Sequence, residues 1–279
     1  MKKPAYSLIP CLLTAAILSA CGGGGGSNGT DAANGASTPL VAQPPIQFAG
    51  NAPTVSGAAG NVSVLFAPAT LTGGSLPQGT TINALTVPLA SLVQEPTHGA
   101  FTTLASTATA TINETGSVYD IAGVGGAFAI GRWTDGSDTS GGTYNKNQGA
   151  VYAVGTPLTL SPTATTLACQ GLKSTSPATV AGSVAPGTVN SATATLDLNT
   201  LTLKNLNINV SIGADQFFVV SGTSDYALNT MTAGAGLTVI NRVMGSSSDN
   251  PYVAVAYGAH ATTSGDFNGL VLLSCTKSS

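Results

Sequence analysis

Side chains that commonly perform catalysis are few in this chain and lie far apart. His98 and His260 are its two histidines, and we interpret each as a lone surface or turn residue without a partner at triad or metal-ligand spacing. The segment Gly123-Val124-Gly125-Gly126 lacks a third glycine at the right spacing and the following helix that phosphate binding needs. Over residues 47–279, no Gly-x-Ser-x-Gly turn for a serine nucleophile occurs. The sequence therefore predicts a protein that is not an enzyme and has no cofactor.

One acidic segment deserves comparison with calcium loops. Asp135 and Asp138, followed by Thr139 to Gly142, offer two carboxylates and several backbone oxygens, which are ligands that Ca²⁺ accepts. The further acidic ligands of a dedicated loop are missing. We expect a solvated hairpin tip with no metal there, and we interpret Asp266-Phe267-Asn268-Gly269 in the same way, as the start of the last strand.

Cys21 stands in a context typical of covalent lipidation. Two lysines precede an apolar run over residues 5–18, which is too short to cross a membrane as a helix and is typical of a cleaved signal. Leu18-Ser19-Ala20-Cys21 resembles the lipobox of bacterial lipoproteins, which implies a thioether-linked diacylglycerol and acyl chains such as palmitate on Cys21. Gly22, where aspartate would retain a lipoprotein at the inner membrane, favours the outer membrane. An ordinary secretory signal with a coincidental cysteine is the alternative.

The lipobox divides the chain into parts with different compositions. We predict a signal peptide over residues 1–20 and a lipidated, flexible tether over residues 21–46, because the latter is rich in Gly, Ser, Asn, Ala and Thr. Charged residues make up 7% of the chain, and from Cys21 onward six basic residues face eleven acidic ones. No basic run is present, which excludes nucleic acid as an expected partner. The expected partners are the membrane, through the lipid anchor, and an unknown protein.

Cys169 and Cys275 are the two cysteines left in the mature body after Cys21. Because the compartment implied by the signal is oxidising, we expect them to form a disulfide. Leu167 and Leu273 each lie two residues before one of the cysteines, so on a strand they would share its face. This pattern indicates two strands that direct both cysteine side chains into one interior. The bridge would close a loop of about 107 residues and contribute roughly 4 to 5 kcal/mol. A redox or metal-binding role lacks a CxxC motif or a His/Cys cluster.

Apolar and polar side chains alternate through most of the chain, and no long stretch has a helical period. The clearest run is Ala194 to Ile212, with a turn at Asn199-Thr200 and a break in phase at Lys204-Asn205 that indicates a bulge. Further candidate strands are Ala127 to Trp133, Ala150 to Gly155, Thr165 to Gly171, Gln216 to Ser221, Leu237 to Val243, Tyr252 to Ala259 and Phe267 to Cys275.

This pattern predicts an all-β fold. Eight or nine strands joined by short Gly, Pro, Asn and Asp turns favour an antiparallel β-barrel of about eight strands over residues 119–279. Residues 47–118 are predicted to form a smaller β-rich N-terminal region. A β-sandwich is the alternative architecture.

Four short segments of the predicted barrel together resemble part of a known protein family. They are Gly131-Arg132-Trp133, the segment from Asn147 to Pro157, the run Ser191 to Leu203, and Gly265-Asp266-Phe267-Asn268-Gly269. Together they resemble the C-terminal barrel of transferrin-binding-protein-B-like lipoproteins, over about Tyr119 to Cys275. The resemblance implies a β-rich barrel that binds a partner through its loops, without catalysis.

Two aromatic residues in these segments are candidates for ligand binding. Trp133 and Tyr152 could form a platform, because aromatic side chains carry much of the energy of interfaces. Strand alternation places Trp133 and Phe128 on opposite faces, so we expect one of these two inside and the other at the surface. The alternative interpretation of Trp133 is an ordinary core residue.

Two functions remain open at this point. The leading hypothesis is an outer-membrane lipoprotein with a barrel body that binds a macromolecular partner through its loops, facing either the periplasm or the exterior. The alternative is a structural or assembly component of the envelope or of a pilus-like β-sandwich module, which an open edge strand would favour. An enzymatic reading would need a pocket with converging carboxylates.

Overall fold

The structure is a computed structural model that describes residues 45–68, 80–222, 224–234 and 236–277. The predicted signal peptide, Cys21 and nearly all of the predicted tether lie outside the described residues. Within the described residues there is no α-helix, and one 3₁₀ turn covers Leu89–Ser91. The predicted all-β fold is therefore confirmed.

The strands are short in the first half of the body and longer in the second. The first eleven are β1 (Phe48–Asn51), β2 (Asn61–Ala67), β3 (Ile82–Pro88), β4 (Val93–Gln94), β5 (Phe101–Ala105), β6 (Thr111–Asn113), β7 (Ser117–Val124), β8 (Phe128–Thr134), β9 (Gly136–Ser137), β10 (Thr143–Tyr144) and β11 (Ala150–Gly155). The remaining ten are β12 (Thr166–Ser174), β13 (Ala178–Thr179), β14 (Thr188–Asp197), β15 (Thr202–Ile212), β16 (Asp215–Ser221), β17 (Tyr226–Ala227), β18 (Met231–Gly234), β19 (Leu237–Met244), β20 (Tyr252–Ala261) and β21 (Gly265–Lys277).

The first half of the body builds a six-stranded sheet in the order β1-β7-β8-β11-β2-β3. Its pairings are antiparallel except for the parallel pair β1 and β7. Strands from both sides of residue 119 take part in this sheet. A small sheet β4-β5-β6 and a short ladder between β9 and β10 complete this half.

The second half builds one large, curled antiparallel sheet in the order β16-β15-β14-β12-β21-β20-β19-β18, with β13 and β17 paired at its sides. This eight-stranded half-barrel agrees with the predicted strand number. The hairpin of β14 and β15 turns at residues 198–201, as predicted. The predicted bulge is also confirmed, because the register shifts next to Asn205, whose φ is 53°.

The core has three parts because the two main sheets pack face to face. Phe128, Ile130 and Val151 of the six-stranded sheet contact Ile240 and Leu272 of the large sheet. The other face of the six-stranded sheet packs against β5 and β6, and the concave face of the large sheet encloses its own cluster. Central strands are therefore covered on both faces, which explains the nearly continuous apolar sequences of β8, β11 and β20.

Candidate functional site

The predicted aromatic pair lies in the interior. Trp133 and Tyr152 are both fully buried, on the face of the six-stranded sheet that β5 covers. The indole Nε1 of Trp133 donates to the carbonyl oxygen of Phe101 at 2.8 Å, and the backbone N–H of Phe101 donates to the Tyr152 hydroxyl at 3.0 Å. Phe128 is buried as well, so the expectation that one of Phe128 and Trp133 lies at the surface is wrong. The reason is that both faces of this sheet are covered.

The Gly-Arg-Trp segment has a structural explanation at each position. Gly131 pairs with Tyr152 in the neighbouring strand, and a Cβ at position 131 would collide with the Tyr152 hydroxyl. Arg132 is 3% exposed, and its Nε donates to Asp120 at 2.7 Å. The same carboxylate accepts the backbone N–H of Ser176 at 3.0 Å. Asp120 thus links Arg132 to Ser176 in the second half of the body, an arrangement that sequence reasoning missed.

The two histidines each have a carboxylate neighbour, contrary to the expectation of lone residues. His98 Nδ1 lies 3.1 Å from Glu95, and His260 Nδ1 lies 2.8 Å from Asp266. The first pair is brought together by a turn and the second by the direct pairing of β20 with β21. Within the residues that the structure describes, no group of three or more His, Cys, Asp and Glu side chains is arranged to hold a metal ion.

The acidic segment forms a hairpin, as predicted, but its tip is not fully solvated. Asp138 is 5% exposed, and its carboxylate accepts hydrogen bonds from the backbone of Ser140 at 2.7 Å and from the hydroxyl of Tyr144. Glu114 packs beside it, also 5% exposed. Burial raises the pKa of Glu114 to about 8, and the charge of Asp138 adds to this rise. Because the Asp138 oxygens already have donors, they are poorly suited to bind a cation.

The cysteine pair lies at disulfide distance, as predicted. Cys169 and Cys275 face each other directly across β12 and β21, with 2.02 Å between their Sγ atoms. Both side chains are buried in the concave core of the large sheet. The bridge therefore joins two central, neighbouring strands, and its two cysteines lie 106 residues apart in the sequence.

One feature with binding potential is the open seam, which we define as the space between β16 and β18. Among the described residues, β16 has a ladder only with β15, and β18 has a ladder only with β19. The two strands are the ends of the large sheet, so its barrel is not closed by a ladder at this point. Each strand therefore presents one edge of its backbone to the seam.

Two cavities follow the open seam. The larger, of about 490 Å³, lies between described residues from Ser221 to Tyr226 on one side and Thr232 to Gly234 on the other. The smaller, of about 170 Å³, is lined by Phe218 to Ser221 and by Ala259 and His260 of β20. The seam is thus narrow where β16 approaches β20 and wider beside the end of β18. None of the described residues that line the larger cavity carries a formal charge.

The outer rim of the open seam carries apolar side chains in solvent. Phe217 is 70% exposed, and Val219 and Met231 are also exposed. Phe217 has a φ of 55°, in the left-handed region that bulky residues rarely adopt. It forms a bulge, in which its backbone N–H donates to the Ser211 hydroxyl and its carbonyl accepts from the Asn209 amide, both at 3.3 Å. Side chains of β15 thus hold a strained, exposed aromatic ring at this rim.

The open seam offers mainly backbone and small polar groups. Backbone edges, hydroxyl groups and small apolar side chains line it, while His260 is the one imidazole at its narrow end among the described lining residues. The sequence predicts a strand over Gln216 to Ser221, but its alternation does not show that this strand lies at the edge of a sheet.

Comparison with known proteins identifies no relative of this chain: no family model, no curated protein and no solved structure matches it. Within the described residues, no helix has both the length and the apolar character needed to span a membrane.

Proposed function

We propose that this protein is a non-enzymatic lipoprotein of the bacterial envelope that binds a protein partner through the open seam and its rim. The single observation that carries the binding part is the open seam itself, with two backbone edges and the exposed Phe217 beside it. Exposed apolar rims and unpaired edges cost solubility, so their presence in a weakly charged body argues for a partner that covers them.

The anchoring part rests on the sequence Leu18-Ser19-Ala20-Cys21. An acylated Cys21 would hold the body at the membrane, because several acyl chains together give nearly permanent attachment. The proposed address is the outer membrane. The test is metabolic labelling with an alkyne analogue of palmitate: the parent protein should be labelled and membrane-bound. Cys21→Ser should be unlabelled and released, and an unlabelled parent protein would contradict the anchor.

The binding part is tested with the mature chain carrying Cys21→Ser, immobilised and exposed to envelope extracts. A specific protein should be captured by the parent and lost with Phe217→Ser, which removes the exposed ring from the rim. Leu172→Ser is the matched control, because Leu172 is also an exposed apolar residue but lies on β12, away from the seam. Failure of the folded parent to capture any protein would contradict this function.

A second candidate function is assembly with other copies of the same chain. The open edges of β16 and β18 favour it over recognition through loops, because an edge strand can continue a sheet into a neighbouring molecule. Sedimentation of the mature chain over a wide concentration range tests this candidate. A monomer at every concentration would exclude it and leave binding to a different protein.

A further inference from the structure

We infer that the open seam takes up a single extended, uncharged segment of the partner, which lies between β16 and β18 as an added strand. This inference rests on the proposed function, since it names the kind of partner segment that the same site would bind. The donors and acceptors of a strand edge are complementary to those of another extended chain, and such main-chain pairing is an established mode of peptide recognition.

The directions of β16 and β18 allow one added strand to pair with both of them. Every step from β16 through β15, β14, β12, β21, β20 and β19 to β18 is antiparallel, so β16 and β18 run antiparallel to each other. A strand between them would be parallel to one edge and antiparallel to the other, and both arrangements form regular ladders. The added strand would close the barrel and cover both edges at once.

The narrow end of the seam decides between a lone strand and the edge of a second folded sheet. The smaller cavity is lined by β16, by Gly236 and Leu237 at the turn after β18, and by Ala259 and His260 of β20, so β16 approaches the other end of the sheet closely there. A folded sheet edge would bring its neighbouring strands into this confined space. A lone extended segment has no such neighbours, which favours it as the occupant.

Gly234 leaves the end of β18 without a side chain towards the seam. Its φ is not among those in the left-handed region, and a Cβ built at this position would have no heavy atom within 4 Å. The described structure of the lone chain thus gives no reason for glycine at the edge of β18, where glycine weakens a strand. Approach of an added backbone would explain it, since a side chain at this position would occupy the seam.

Charge and side-chain size define the class of segment. The larger cavity is lined by Ser221, Thr232, Ala233 and Gly234 among others, with Leu237 and Tyr226 as its large apolar groups. With no charged lining residue to pair with, a buried charge on the segment would be costly. A segment that alternates small hydroxyl and apolar side chains matches this lining.

The probe for the test is a fluorescent eight-residue peptide of alternating Thr and Val, titrated into the oxidised mature chain with Cys21→Ser. Because pairing would use the main chain, this sequence-neutral strand should bind, and the same peptide with alternate N-methylated amides should bind at least tenfold more weakly. Amide hydrogen exchange should slow in β16 and β18 on binding. Absence of binding, or equal binding of the two peptides, would overturn the inference.

Two variants block the seam from opposite edges. Gly234→Val adds a side chain on β18 in open space, and Ser221→Trp fills the space from β16, where Ser221 is exposed. Each should keep its melting temperature and lose at least tenfold in peptide affinity. Thr193→Val, on the exposed outer face of β14, is the matched control and should bind as the parent does. Unchanged affinity in both folded seam variants would refute strand insertion.

The same variants separate this inference from the proposed function. If envelope extracts still yield the captured partner with Gly234→Val and Ser221→Trp, the partner is real but does not enter the seam, and only the inference fails. If the peptide binds but the parent captures nothing, the seam accepts a strand and the proposed function fails.

Discussion

The hydroxyl of Tyr152 accepts the backbone N–H of Phe101 at 3.0 Å, whereas the hydroxyl of Tyr257, buried just as fully, has no hydrogen-bond partner among the described residues. The two residues thus form a natural matched pair. One hydroxyl satisfies a buried donor on β5, and the other lies over Gly269 in the concave core.

This contrast predicts opposite results for the same substitution. Tyr152→Phe leaves the Phe101 N–H unpaired and should lower the free energy of unfolding by about 1 to 3 kcal/mol. Tyr257→Phe removes an unpaired polar atom and should be neutral or stabilising. Urea unfolding followed by circular dichroism measures both. Equal losses in the two variants would mean that the hydrogen bond to Phe101 contributes nothing.

Glu114 should make stability depend on pH. Its pKa rises from the ordinary 4.5 to about 8 in the folded protein because of burial and then the nearby Asp138 charge. The folded state therefore holds a proton that the unfolded state releases between these values, and the free energy of unfolding should fall as pH rises from about 4.5 to about 8.

Glu114→Gln should remove this slope, since the amide keeps an acceptor for the Gly116 N–H and never ionises. At pH 8 the variant should be more stable than the parent by up to about 4 kcal/mol, because each unit of the rise in the Glu114 pKa corresponds to about 1.4 kcal/mol. Denaturant titrations at several pH values measure it. Asp249→Asn, at a highly exposed side chain, is the control that should retain the parent slope.

The disulfide should be a major contributor to stability. Replacing both Cys169 and Cys275 by alanine releases a loop spanning 106 residues in the unfolded chain and should cost about 4 to 5 kcal/mol. The parent unfolded in the presence of dithiothreitol should shift by a similar amount, while the double variant should not respond to the reductant. A parent midpoint that is indifferent to reduction would contradict this expectation.

Phe217 should be replaceable at a gain in stability. Phe217→Gly relieves a left-handed backbone at an exposed site and should raise the free energy of unfolding by about 1 kcal/mol, while binding of the partner should weaken. Val219→Gly, on the same exposed face without a positive φ, should instead lose about 0.5 to 1 kcal/mol. Thermal unfolding of the two variants shows whether each substitution raises or lowers stability. A loss of stability in both variants would show that the Phe217 backbone is not strained.

Much of the fold could be predicted because strand alternation is a local property. The apolar positions Leu203, Leu206 and Ile208 indicated both the buried face of β15 and its bulge, and each is buried in the structure. The pairing of Cys169 with Cys275 could be predicted for a related reason. Each cysteine alternates with apolar neighbours and therefore faces the same interior. In contrast, one of Trp133 and Phe128 was expected at the surface although both are buried, because alternation along one strand cannot reveal that both faces of its sheet are covered.

The candidate site was harder to predict, since an edge strand and a central strand have the same period. Nothing local to Asp215 to Ser221 tells whether a neighbour will pair with its second edge. The carboxylate neighbours of the histidines were missed because a turn at Glu95 and a register across β20 and β21 bring them together.

By itself, the amino-acid sequence determined the period of the strands, the phase of the two cysteines and the all-β class, because these depend on side chains a few residues apart. Only the tertiary structure decided which faces are doubly covered, that Glu114 lies buried beside Asp138, and that the large sheet ends in the open seam between β16 and β18. These features arise from pairings between distant segments, whose geometry depends on how the whole sheet curls rather than on any local pattern.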